Sequence, residues 1–445
     1  MAGKQKVTQQ VDAESRLFTN ATSSDDGWKP EDLKMFRFLR GVLNHIDLAY
    51  VATYPPQECG IATFTRDLAT AIAKYTPFSE PFVIAVGEGA DIEQFPKIVK
   101  YQITKSDLQS YSHAAELIND SPVRGVSLQH EYGIYGGPDG EYVLSFLKKL
   151  QKPAIATLHT VLFSPSPNQK RIVRELGRMC EALVVMVKMG KEMLVNNYGI
   201  PPHKVAIIPH GVPNVHRVSA GTIKKTLGIS DRPVISSFGL INRGKGIEYG
   251  IRAMPGILKK HPDAMYLVLG ETHPGVRHTE GESYRKELLE LVSSLGLEKH
   301  VRFNNRYLTL DELINYLCAT DVYITPYINR DQIVSGTLAY ALGCGKAIVS
   351  TPYLYAEEVL SGGRGLLVDF RNPDQFAEAV TRILDDAVLR EQMETLAYKY
   401  GRRAAWFNVA IDYLDLFHRL RPRPATAPAK EVKAGRGATR KGQSS

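Results

Sequence analysis

Short apolar, β-branched runs alternate along most of this chain with segments of helical periodicity, and the alternating series occurs twice. A strand, a helix and a further strand in succession require a crossover, so the strands pair in parallel and the helices cover both sheet faces. In the first series the strand candidates are "IDLAYVATY", "PFVIAV", "GVSLQH", "AIATLHT", "ALVVMV" and "KVAIIPHGV". Helices are expected between them, for instance over 63–75, 139–150 and 166–180. The pattern pauses over 214–232 and restarts with "PVISSFG", "AMYLVLG", "HVRFNN", "DVYITPY", "AIVST" and "GLLVDF", separated by helical stretches at 246–260, 282–296, 309–319 and 373–384. The fold class expected is α/β, with two doubly wound domains. Such sheets bind ligands beyond the carboxyl ends of their strands, and two facing sheets make a cleft.

A chain of 445 residues exceeds what one core holds. The organisation read from it is an N-terminal arm with an amphipathic helix ("EDLKMFRFLRGVLNHI") over 1–45, a first domain over 46–215, a linker over 216–232 and a second domain over 233–385. Helices over 386–421 are expected to return to the first domain, and a basic tail occupies 422–445. The amphipathic helix is read as packing on the first domain in preference to a membrane. Cys59, Cys180, Cys318 and Cys344 lie far apart without CxxC spacing, which argues against a disulfide framework or zinc site and for a reducing compartment. The first thirty residues are polar and include acids, unlike a signal or transit peptide, and no apolar run is long enough to span a bilayer. A cytoplasmic location is the expectation. Of the net charge of +8, six units lie from Arg421 onward, where seven Lys/Arg face one Glu. The body is nearly neutral, so nucleic acid is not an expected partner. The Pro-, Ala-, Gly- and Lys-rich tail is read as solvated, with peripheral contact to an anionic membrane surface as its other use.

Four segments at strand ends carry the chemistry. In "VSGTLAYALGCGKAIVST" (334–351), Ser335 suits an N-cap and Gly345 a left-handed post-helix position, which leaves free N–H groups near Gly336 and Thr337 for an anion. "TYPPQECGIATFTRDLA" (53–69) places Gly60 at a helix start, where backbone can approach a ligand. His130 and His159 end adjacent predicted strands and can donate to or accept from sugar hydroxyls. "SSFGLINRGKGIEYGI" (236–251) sets Arg243 and Lys245 among Gly239, Gly244 and Gly246, a loop where cation and backbone converge on a phosphate, yet neither a Walker A loop nor GxGxxG. Asp-x-Asp occurs nowhere in the chain, so no metal is expected to bridge a diphosphate, and the protein's own cations would take that role.

In order, "YPPQECGIATFTRDLA", "TLHT", "IPHGV", "GKGIEYGI", "YRKELLELVSSLGLEKHVRF", "ALGCGKAIVST" and "GGRGLLVDFRNPDQFAEAV" resemble glycosyltransferase family 4 over roughly 48–400. The resemblance implies a GT-B fold of two Rossmann-like domains and a retaining, metal-independent, mannosyltransferase-like enzyme without a cofactor. It implies a nucleotide-sugar donor in the second domain, GDP-mannose before UDP-glucose, and a carbohydrate or glycolipid acceptor in the first; oligomeric state is left open. By the same resemblance Gly60 approaches donor phosphates or acceptor, His159 lies near the transferred sugar, and Lys245 neutralises the donor phosphate; Glu58 and His130 are read on the acceptor or sugar side. Where the family usually has Arg after the glycine matching Gly239, this chain has Leu240, and Arg243 is the expected substitute. The family's paired glutamates align with Gln332 and Tyr340; the tyrosine, with Thr337, is similar to glycogen-synthase-like enzymes. The donor side is therefore read as Gly60, Gly239, Gln332, Ser335, Gly336, Thr337 and Tyr340. Two other classes stay open on these departures: a nucleotide-sugar-binding relative without catalysis, and a GT-B sugar-nucleotide epimerase.

Overall fold

The strands β1 (Leu48–Ala52), β2 (Phe82–Gly87), β3 (Val99–Thr104), β4 (Gly125–His130), β5 (Ala154–Leu158), β6 (Ala182–Val185) and β7 (Val205–Ile207) pair in parallel, in the order β3-β2-β1-β4-β5-β6-β7. The computed structural model describes residues 46–76, 80–89, 92–217, 220–229 and 232–420. The N-terminal amphipathic segment and the basic tail lie outside the described residues. Central strands β1, β4, β5 and β6 are buried along their whole length, because crossover helices cover both faces and an unbroken apolar run is stable only there. β3 was not among the strands expected. It is an edge strand, "VKYQIT", with only Val99 and Ile103 buried and Lys100 in solvent, so it lacks the continuous apolar signal of its neighbours.

A second sheet contains β8 (Val234–Phe238), β9 (Met265–Leu269), β10 (Val301–Asn304), β11 (Val322–Thr325), β12 (Ala347–Ser350) and β13 (Leu366–Leu367), parallel in the order β10-β9-β8-β11-β12-β13. Helix starts follow local chemistry. Thr309 and Glu312 form a reciprocal capping box before Leu310–Ala319, and Asn372 caps Pro373–Asp385 with proline in the first turn, where its missing N–H costs nothing. Each such cap contributes about 1 kcal/mol. Ser335 caps the helix Gly336–Gly343 by accepting from Leu338 N–H at 3.3 Å, and Gly345 follows in the left-handed region.

The helix Ala387–Arg403 lies against the second domain, while Trp406–His418 packs on the first. There Val409, Tyr413, Leu414 and Phe417 join a core with Leu48, Tyr50, Phe64 and Leu68, and the Tyr413 hydroxyl meets Thr157 Oγ1 at 2.8 Å. The chain thus passes between the domains near 212 and again near 405. The two crossings touch: Val212 N–H donates to Ala404 O at 2.8 Å and Trp406 N–H to Val212 O at 3.0 Å.

Candidate active site

In each sheet the chain order reverses beside the first strand: β1 lies between β2 and β4, and β8 between β9 and β11. Crossovers leave in opposite directions there, which opens a crevice at the carboxyl ends. The loops after β1 and β8 both face a cleft of about 970 Å³ lined from the two domains. Of the residues singled out from the sequence, Glu58, Gly60, His159, Gly239, Lys245, Gln332, Ser335, Gly336, Thr337 and Tyr340 line it, and His130 and Arg243 do not.

On the first domain, the loop after β1 carries a cis Pro55–Pro56 peptide and ends at Cys59, whose Sγ accepts from Ala62 N–H at 3.2 Å and starts the helix Gly60–Ala73. A Cβ built on Gly60 meets nothing within 4 Å, so this position opens onto the cleft. The floor is aromatic and imidazole. Phe64 meets His159 (4.9 Å between centroids), His210 (5.1 Å) and Trp406 (5.2 Å) edge-on. His159 Nε2 lies 3.0 Å from Gln129 Oε1, an acceptor, so Nε2 carries the proton and Nδ1 keeps a lone pair. His210 Nδ1 lies 2.8 Å from Gly211 O, which by the same argument leaves Nε2 as an acceptor beside Gly336. Burial, with the neighbouring His210 and His130, pushes His159 down to about 3, and burial pushes His210 down to about 4. Both are neutral hydrogen-bonding groups at pH 7.

On the second domain, Gly246 has φ 60°, and a Cβ there would stand 2.1 Å from Pro326 O; only glycine lets the loop lie on the segment after β11. This brings Lys245 Nζ within 2.6 Å of the Tyr327 hydroxyl. That hydroxyl is 2.6 Å from Thr337 Oγ1, which is 3.1 Å from Ser335 Oγ. A single cation and a helix N-terminus therefore converge on one region of the cleft, an arrangement suited to an anion. His273, also on the cleft wall, is held below its ordinary value by burial and by the charge of Lys245. Gln332 Nε2 donates to Val334 O at 2.8 Å.

Two expectations change. Arg243 is not brought to the cleft lining: its guanidinium is paired with Glu287 (2.8 and 2.6 Å) and Glu280 (3.6 Å). Those acids lie far along the chain, so the pairing has no local sequence signal. His130 is fully buried, meets Tyr132 and Tyr135, and neither ring nitrogen has a hydrogen-bond partner. Burial pushes it down to about 4, so it is a neutral buried residue outside the cleft lining. Conversely, His210, Glu271, His273 and Tyr327 were given no role from the sequence, although His210 lies in "IPHGV" and Tyr327 ends "DVYITPY".

The domains also touch directly. Tyr340 Oη donates to Asp67 Oδ2 at 3.1 Å, and Thr63 Oγ1 meets Tyr307 Oη at 3.0 Å. Glu358 accepts from Lys188 N–H at 2.8 Å and Met189 N–H at 3.0 Å, capping the first-domain helix Lys188–Asn196 from the second domain. A hydrogen bond with Glu271 raises Glu58 above the usual carboxylate range.

Comparison with known proteins bears on the family and the fold. Residues 60–214 match the family model Glycosyltransferase Family 4, and residues 220–400 match Glycosyl transferases group 1. A D-inositol 3-phosphate glycosyltransferase of Corynebacterium urealyticum is 28% identical over 279 residues, 59% of this chain and 64% of that protein. Its counterpart in Corynebacterium diphtheriae is 30% identical over 53% of this chain and 57% of its own length. The chain thus covers less than two thirds of these relatives. A GDP-mannose-dependent monoacylated alpha-(1-6)-phosphatidylinositol monomannoside mannosyltransferase of Corynebacterium glutamicum is 23% identical over 76% of this chain and 89% of that one. Among solved structures, Anabaena HepE in complex with UDP and glucose superposes with TM-score 0.68 at 15% identity, covering 84% of this chain and 100% of its own. Sucrose-phosphate synthase from Thermosynechococcus elongatus gives 0.67 at 15% identity, covering 84% and 99%. The fold is GT-B.

Proposed function

Since the chain belongs to the glycosyltransferases of family 4 and group 1, we propose that it is a retaining hexosyltransferase that moves a sugar from a nucleotide-sugar donor to a hydroxyl acceptor. The observation that carries this reading is the convergence of Lys245 and the Ser335-capped helix on one side of the cleft. A donor diphosphate set there has its leaving charge met by an ammonium and by free backbone N–H groups, with no metal required. The sugar then lies toward the histidine floor, where neutral His159 and His210 each offer a lone pair to a hydroxyl. Gln332 offers a neutral amide nearby. The acceptor enters from the first-domain side past Gly60 and Glu58. Its hydroxyl attacks from the face the leaving group vacates, and the departing phosphate accepts the proton, so no protein base is needed.

GDP-mannose is the first donor to test, supported by the corynebacterial relative whose name specifies it, with UDP-glucose second. A carbohydrate or glycolipid acceptor fits the same likeness. Incubation with each donor should release the nucleoside diphosphate, and Lys245→Ala should lower turnover by on the order of 10²–10³. Full activity in that variant overturns the phosphate assignment. NMR of the product anomeric proton tests retention, since an inverted anomer overturns it.

A further inference from the structure

We propose that Tyr327 is a positioning residue of the donor site: its hydroxyl holds the Lys245 ammonium in register with the Thr337–Ser335 helix start, so that cation and helix act on the same phosphate. The inference rests on the donor-site reading above and adds a residue that reading does not use. Tyr327 stands just past β11, next to β8 in the sheet, and its backbone neighbours pin the Lys245 loop: Ile328 N–H donates to Gly244 O at 3.2 Å. The ring itself is fixed. It is buried, stacks on Tyr353 at 5.1 Å and 19°, and its carbonyl accepts from Thr351 Oγ1 at 2.6 Å.

Hydrogen-bond directions around the phenol follow from the inventory of donors. Lysine only donates, so Lys245 donates to Tyr327 Oη at 2.6 Å, and the phenolic proton is left for Thr337 Oγ1, also at 2.6 Å. Thr337 in turn reaches Ser335 Oγ, which already accepts from Leu338 N–H. The chain runs from the ammonium to the helix cap in one direction. One of three lysine N–H groups is used, and two remain for an anion. A flexible four-carbon stem is thereby held at one point, which matters because a cation that stabilises leaving-group charge must be placed before that charge develops.

Burial opposes ionisation of Tyr327, yet Lys245 and the hydroxyls of Thr337 and Ser335 outweigh it and hold the phenol below its ordinary value. Loss of the phenolic proton converts the contact into an ion pair that keeps Lys245 from the phosphate. An alkaline fall in turnover beginning below the usual tyrosine range follows.

The test compares wild type with Tyr327→Phe, which keeps the ring on Tyr353 and removes only the hydroxyl. Hydrolysis of GDP-mannose and UDP-glucose is followed by nucleoside diphosphate release from pH 6 to 10 (about two pH units on either side of 8), with melting temperature recorded alongside. Expected are a fall of about ten-fold in kcat, a donor KM changed by less than about three-fold, and displacement of the alkaline limb to higher pH. Unchanged kcat and limb overturn the proposal and leave the donor site standing. A fall in kcat with a lowered melting temperature and an unmoved limb also overturns it, because that is the signature of a packing role alone. If wild type neither binds GDP or UDP by calorimetry nor turns over either donor, the donor-site reading fails and the proposal with it.

Discussion

Acid should unfold the first domain earlier than its carboxylates alone would dictate, and His130 should account for a defined share. Its imidazole is fully buried and held at about 4, against about 6.5 for the free side chain. With the folded value below the unfolded one, the unfolded chain binds more protons across this window, so stability falls as pH drops from about 6.5 towards 4. Integrating between pH 7 and 5 gives a loss of about 2 kcal/mol from His130. His159 and His210 are depressed in the same sense, to about 3 and 4, and steepen the fall. The perturbation is His130→Leu, which keeps side-chain volume close and breaks no hydrogen bond, since neither ring nitrogen has a partner. Urea titrations at pH 7 and pH 5, read by the fluorescence of Trp406 packed on Phe64, give the stability difference for each protein. Any packing cost of the new side chain appears at both pH values and cancels. The variant should lose about 2 kcal/mol less than wild type between the two, and keep its activity at pH 7. An equal loss in both proteins refutes the assignment of His130 as a buried neutral group.

Gly60→Ala adds a methyl that meets no protein atom, so calorimetric melting should be unchanged or slightly higher, while activity towards donor or acceptor falls at least about ten-fold. Wild-type kinetics would show that nothing approaches this backbone. Glu358→Ala removes two charge-assisted caps from the helix Lys188–Asn196 and should cost about 1 kcal/mol, with greater protease sensitivity at that helix. Equal cleavage rates would refute a cap acting between domains. Tyr340→Phe removes the donor to Asp67, which burial already holds above the usual carboxylate range; its pKa by NMR should rise further.

Sequence patterns reached what depends on near neighbours. Strand runs, the Ser335 cap, the Gly345 exit and the cleft-facing loops all follow from residues within one turn or one strand of each other. What they did not reach depends on side chains meeting from far along the chain. Arg243 sits in a glycine-rich loop that reads as a phosphate cradle, and only the fold brings Glu287 and Glu280 to it. His130 and His159 look alike as strand ends, but Tyr132 and Tyr135 roof one and the cleft exposes the other. Tyr340, standing where the family has an acid, finds Asp67 across the domains, a partner no spacing rule would pair with it. Edge strand β3 was invisible for the opposite reason, since only Val99 and Ile103 of its six residues are buried and the rest carry little apolar signal.

The paired crossings at Val212 and Ala405 have a mechanical consequence. Two chain segments joined by hydrogen bonds behave as a strap, easy to bend across its width and hard to shear along its length. A rotation of one domain against the other would be smallest beside the strap, and it would also have to break the Tyr340–Asp67 and Thr63–Tyr307 contacts. Trp406 sits at the strap's end, its ring laid so tightly on Gly211 that a Cβ there would stand 2.2 Å from it, and it also meets Phe64 and His210. The histidine floor thus lies close to the strap. A rotation that widens the cleft would therefore move Lys245 further than it moves His159 and His210, which pack with Phe64 beside the strap.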